Sequence, residues 1–167
     1  MKVLGIDPGT ATVGYGVVER AGTPARQARL LECGVIRTPA REPLPLRLVA
    51  ISEALTELIA RHRPDVMAVE DIFYATNVRT TAVLGHARGV ILLAGATAGV
   101  AIAEYAPALV KKTVVGRGAA LKPQVGYMVA KLLQLEAPPT PADAADAVAV
   151  ALTHLFLGAW PRNGARR

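Results

Sequence analysis

Hydrophobic periodicity changes once along this chain, near residue 45, and that change leaves few folds open. Before it lie three stretches with strand character: residues 2–7 (Lys-Val-Leu-Gly-Ile-Asp), 13–19 (Val-Gly-Tyr-Gly-Val-Val-Glu) and 29–38. The first stops at Pro8-Gly9, and Ala-Gly-Thr-Pro at 21–24 supplies a turn between the other two. Three antiparallel strands in a meander are therefore expected. After it a helical period takes over, with Leu46, Val49, Leu55, Leu58 and Ile59 on one face of a helix over 45–61 that His62-Arg63-Pro64 ends. Strands are expected at 66–70 and 100–105, and helices at 77–98, 107–115, 123–133 and 141–157. A meander followed by alternating helix and strand predicts an α/β chain with a mixed five-stranded sheet flanked by helices.

That order of elements resembles the ribonuclease H-like architecture, which by itself does not give a function. The chain has 167 residues, 52% of them apolar, enough for one compact domain over 1–158 with a real core. Aromatics make up only 4%, so Val, Leu, Ile and Ala must build that core. The basic stretch 159–167 is expected to be a mobile tail. No membrane span is expected: the longest uncharged apolar run, 89–103, is 15 residues between Arg88 and Glu104, short of the roughly 20 a bilayer needs. Asp7 interrupts the apolar start, so no secretory leader is expected. A lone cysteine, Cys33, fits a reducing compartment, and the cytoplasm is the expected location.

Four carboxylates occupy unusual places. Asp7 closes the first strand, and Glu70 closes the apolar Val-Met-Ala-Val strand after the first helix. If those strands are neighbours, both acids project from one edge of the sheet, where open α/β sheets carry their chemistry. Asp143 and Asp146 lie three apart in Pro-Ala-Asp-Ala-Ala-Asp-Ala and share a helical face. Their neighbours are all small, so another surface or a ligand can come close. Plainer roles exist for two of them: Asp7 before Pro-Gly suits a turn, and Thr140-Pro-Ala-Asp143 suits a helix cap with Pro141 at the first helical position. Neither accounts for Asp146 or Glu70.

Convergence of the four would be costly. At an effective dielectric of about 20, two carboxylates ~5 Å apart repel by roughly 3 kcal/mol. Protonation offsets this, and hard divalent cations offset it better, Mg²⁺ or Mn²⁺ above all. Two such ions, ~4 Å apart, are the usual device for phosphodiester cleavage. The rest of the chain is basic: without these four acids, nineteen Lys and Arg stand against nine Asp and Glu, +10 within a net +6 overall, which favours nucleic acid as partner. Arg79, Arg88, Lys111, Lys112, Arg117, Lys122 and Lys131 are the candidates for a phosphate-attracting field. Lys111 and Lys122 stand out because they bracket the Gly116-Arg117-Gly118 loop.

Taken in order, Gly5-Ile6-Asp7-Pro8-Gly9, Ala68-Val69-Glu70, Phe73, Val110-Lys111, Thr113-Val114-Val115-Gly116 and Ala142-Asp143-Ala144-Ala145-Asp146-Ala147 resemble the RuvC family of crossover (Holliday) junction endodeoxyribonucleases. The likeness runs from residue 3 to about 155. It implies a homodimeric, divalent-metal-dependent enzyme that makes paired symmetric nicks in a four-way DNA junction, leaving 5′-phosphate and 3′-hydroxyl ends. It further implies Asp7, Glu70, Asp143 and Asp146 as the metal-binding catalytic acids and Phe73 as an aromatic that stacks on a base. Lys111 and Lys122 would make the phosphate contacts, and a branch-migration complex of junction-binding protein and helicase motor would work beside it.

Two positions depart from the pattern. Thr76 stands where many members carry a basic residue, for which Arg79 is the available substitute, and Leu121 is more apolar than usual. The helix over 77–98 carries Gly85, Gly89, Ala94 and Gly95, and its apolar face, Leu92 included, suits either a twofold partner or ordinary packing against the sheet. His62 and His86 are expected at the surface, and His154 in a packed or hydrogen-bonding role two turns beyond Asp146. Asp7-Pro8-Gly9-Thr10 also resembles the phosphate loop of actin- and Hsp70-like ATPases, but those need two such domains and this chain has room for one. A relative cutting RNA or simpler branched DNA would share the acids without Phe73, Lys111 and Lys122 together.

Overall fold

A computed structural model of the chain describes residues 1–9, 11–23, 26–71 and 78–158, with the side chains of 23, 26, 27, 78 and 79 left aside. Strands β1 (Lys2–Asp7), β2 (Thr12–Thr23) and β3 (Arg26–Arg37) come first. Then follow helix α1 (Leu44–His62), β4 (Val66–Glu70), α2 (Val78–Thr97), β5 (Ala101–Tyr105), α3 (Pro107–Val115), α4 (Lys122–Leu133) and α5 (Ala142–Leu157). The sheet order is β3-β2-β1-β4-β5, antiparallel through β1 and parallel from β1 to β4 to β5. This is the mixed five-stranded sheet expected from the change of period. Residues 159–167, expected to form a tail, lie outside the described residues.

Strand alternation splits the core in two. Val3, Val18 and Ala68 face one side, packed against Val110, Val129, Val148 and Leu152 of α3, α4 and α5. Leu4, Ile6, Val13, Met67 and Val69 face the other, against Ile51 and Leu55 of α1 and Ile91 of α2. Period-two alternation needs both faces covered when a central strand is apolar throughout, as Val66–Val69 is.

Several boundaries differ from the sequence expectation. Strands β2 and β3 run further than expected, and the segment read as a turn begins inside β2. The pairing shifts register between Arg20 and Thr23, so Gly22 belongs to an irregular extended arm. A second shift, at Val17/Val18, leaves Leu31 without an opposite number and turns Glu32 toward α1. There Glu32 accepts a hydrogen bond from Tyr15 Oη at 3.0 Å and meets His62 Nε2 at 2.7 Å. His62, expected at the surface, is therefore a half-buried tie between β3 and α1. At α5 the residue outside the first turn is Pro141, with no side-chain cap, so the Thr140 cap read from sequence is not formed.

Helix α5 sits directly on the sheet. A Cβ on Gly5 would fall 2.1 Å from the Ala147 carbonyl oxygen, and one on Gly14 would fall 2.1 Å from that of Asp143. Glycine alone permits such backbone-to-backbone contact. The small residues around Asp143 and Asp146 thus admit the sheet itself.

Candidate metal centre at the edge of the sheet

Parallel pairing of β1 with β4, with Ile6 opposite Val69, brings both strand ends to one edge. Asp7 and Glu70 leave the sheet side by side there. The glycine seam draws the first turn of α5 over the same edge and adds Asp143 and Asp146. Asp7, Asp143 and Asp146 each offer a carboxylate oxygen, all within 4.8 Å of one another. Glu70 lies outside that trio but shares a hydrogen bond with Asp7. Asp7, Glu70 and Asp146 line a cavity of about 150 Å³ with Pro107, Val110, Lys111, Lys122 and Val125. The four acids read from sequence are brought together.

The crowding shows in the acidity of Asp7 and Glu70. Burial, then the charges of Glu70 and Asp146, push the Asp7 carboxyl from 3.8 up to about 8. Burial also raises Glu70, against the hydrogen bond from Asp7, which lowers it. Burial and mutual repulsion together favour a proton on this pair. Lys122, at the start of α4, reaches in from the opposite wall, its Nζ 2.7 Å from Asp146 Oδ2 and 3.4 Å from Asp143 Oδ1. That contact with Asp146 holds the ammonium well above its usual range. One shared proton and one lysine are the internal compensation for the repulsion foreseen from sequence. The donor set is oxygen throughout, partly open to solvent, and without thiolate or imidazole, which suits a hard divalent cation.

Other expected site residues are distributed unevenly. Lys111 lines the cavity from α3, while Lys112 and Arg117 are exposed and not among its lining. Phe73 and Thr76 lie outside the described residues, and Arg79 is in the first turn of α2 with its side chain not described. Arg88, counted with the phosphate-attracting field, is instead engaged by Asp71 and Glu104. Lys131 stands over the Tyr127 ring, 5.0 Å from its centroid. The sequence reading missed the Tyr105–His154 pair, in which Tyr105 Oη lies 2.7 Å from His154 Nδ1. Its signal was the alignment of strand ends: Tyr105 closes β5 opposite Glu70.

Comparison with known proteins agrees with this geometry. The family model described as "Crossover junction endodeoxyribonuclease RuvC" matches residues 3–154. The chain belongs to the RuvC family. A RuvC protein of Moorella thermoacetica is 52% identical over 161 residues, covering 96% of this chain and 94% of the relative. One of Syntrophomonas wolfei is 50% identical, covering 93% and 88%. Among solved structures, Thermus thermophilus RuvC superimposes with a TM-score of 0.85 at 40% identity, covering 93% of this chain and 94% of that one. The same protein solved in complex with a Holliday junction substrate gives 0.84 at 38% identity, covering the same shares. The yeast mitochondrial Holliday junction resolvase Ydc2, 17% identical with a TM-score of 0.67, shares the ribonuclease H-like fold. No helix among the described residues is long and apolar enough to cross a membrane.

Proposed function

We propose that this RuvC-family chain is a crossover junction endodeoxyribonuclease that hydrolyses phosphodiester bonds in four-way DNA junctions. The observation that carries the reading is the convergence of Asp7, Asp143 and Asp146 within 4.8 Å, with Glu70 hydrogen-bonded to Asp7. Those four side chains would hold Mg²⁺, with Mn²⁺ able to substitute, as two ions per site. When bound, the ions supply the charge that activates a water and stabilises the departing oxygen.

The remaining steps belong to the chain itself. Asp7 gives up its proton before its oxygens can serve as ligands. Lys122, now held by Asp146 and Asp143, is freed for a phosphate oxygen as their charge is neutralised. Lys111 meets the strand from the facing wall, and Lys112 and Arg117 extend the positive surface outward, with Arg79 as a further contact. Phe73 stacks on a base near the junction centre. A water oxygen bonds to phosphorus, the bond to the 3′ oxygen breaks, and that oxygen takes a proton. The products are a 5′-phosphate and a 3′-hydroxyl.

Two symmetric nicks require two such sites about a twofold axis, and a homodimer is the simplest supply. Helix α2 favours this. Ala87, Ile91 and Ala94 are buried, whereas Leu93 is 64% exposed and Gly85 and Gly89 have open space before them. Leu92, chosen from sequence for the partner face, packs against the core instead, so Leu93 takes its place. The enzyme would work in the bacterial cytoplasm beside a branch-migration complex of junction-binding protein and helicase motor.

The test is nicking of a synthetic four-way junction with and without Mg²⁺ or Mn²⁺, mapping cuts on all four strands. Paired cuts on strands of like polarity, lost with chelator, are expected. Equal cutting of plain duplex or of an RNA–DNA hybrid would overturn the reading.

A further inference from the structure

Where β4 leaves the sheet, the chain is held by β5 on one side and by α2 on another. Glu70 pairs with Tyr105 in the ladder, and the Asp71 N–H donates to the Tyr105 carbonyl at 2.8 Å. The Asp71 carboxylate is then gripped by Arg88 of α2, with Nη2 at 3.2 Å from Oδ1. The same Nη2 meets Glu104 Oε2 on β5, one residue before Tyr105. Arg88 is only 22% exposed against 49% for Asp71 and 43% for Glu104. Its Nε is buried with no hydrogen-bond partner among the described residues. Drawing a guanidinium this far out of water is unfavourable unless carboxylates meet it. Two do, one on each side of the Glu70–Tyr105 rung.

We infer that Arg88 is a positioning residue for Glu70: by holding Asp71 and Glu104 together it fixes the main chain at the exit of β4, and so the direction in which Glu70 faces Asp7. Arg88 is neither among the residues lining the cavity nor in the acid trio, and acts through Asp71 and Glu104. The inference rests on the reading of Glu70 as a metal ligand given above. Charge and position make opposite demands here, which makes the idea testable. Removing a cation from beside an acidic cluster would tighten dication binding if charge alone mattered. Losing the tether loosens it, because a ligand whose support is gone must be reordered on binding.

The experiment is direct Mn²⁺ binding, followed by the electron-spin-resonance signal of free Mn²⁺, for the full chain and its Arg88→Met, Arg88→Lys and Asp71→Asn variants. Thermal unfolding and junction nicking are recorded in parallel. Arg88→Met should bind Mn²⁺ about tenfold more weakly, the range typical when the support of a metal ligand is lost. Arg88→Lys, which keeps the charge but on a shorter reach that meets the two carboxylates less well, should fall between. Wild-type or tighter Mn²⁺ affinity in both Arg88 variants overturns the inference. Should Arg88→Met fail to fold, Arg88→Lys and Asp71→Asn still decide it, since unchanged affinity in both also overturns it. If the unaltered chain binds Mn²⁺ but leaves junctions intact, the proposed function falls, while the affinities still judge Arg88.

Discussion

Asp7 shows how much one carboxyl depends on its surroundings. The same Asp-Pro-Gly that suits a turn places this side chain beside Glu70 and Asp146, and burial with those charges carries it to about 8. Because that value lies above the ordinary 3.8, the folded state keeps a proton the unfolded chain gives up. The stabilisation is complete below about pH 4 and is lost as pH rises through about 8. With chelator present, the melting temperature should therefore fall between about pH 4 and 8, and saturating Mg²⁺ should flatten the slope, since cation and proton compete for the same oxygens. Scanning calorimetry across that range is the check; an equal slope with and without Mg²⁺ would count against the shared site. Asp146→Asn removes one ligand oxygen and the closest partner of Lys122. It should abolish nicking, by a factor of at least ~10³, while junction affinity in a gel-shift assay stays near wild type, because affinity comes mainly from phosphate contacts.

Elements were legible wherever their signal was local. Helix α3 was foreseen at its observed limits, Pro107–Val115, because Pro begins it and Gly116 ends it. The β2–β3 arm was misjudged because Gly22 reads as a turn, while register shifts are set by tertiary pairing that one sequence does not display. Glu32 is a similar case: a single unpaired residue in β3 redirects it to His62, and no spacing rule announces that. The run of small residues near Asp143 was noticed in the sequence, but its counterpart, glycines in β1 and β2, becomes meaningful only once α5 lies across them. Gly14→Ala tests this seam. Its new methyl would collide with the Asp143 carbonyl, so the helix must lift. We expect a loss of about 1–3 kcal/mol in denaturant unfolding, together with a higher Mg²⁺ requirement. A merely destabilised variant would keep its metal requirement unchanged.

At the scale of the molecule, the sheet keeps its chemistry at one edge, and two lysines, Lys111 and Lys122, line the cavity there with the acids. Order of elements and acid spacing sufficed to foresee this arrangement. Which cations remain available was not legible, since Arg88 and Lys122 are spoken for by acids distant in sequence. Leu93, large, apolar and exposed on α2, is the residue by which to test the dimer. Leu93→Glu should shift sedimentation toward the monomer and convert paired nicking into single, uncoordinated nicks, with folding intact. A dimer that survives this change uses another surface.

The direct seat of α5 on β1 and β2 has one more consequence. With no side chains to cushion the contact, the separation of two aspartates from their partners is a property of the polypeptide skeleton. Tuning by residue size is closed to it. A change in what the site accepts is thereby left to side chains lining the cavity, such as Lys111, and not to the seat itself.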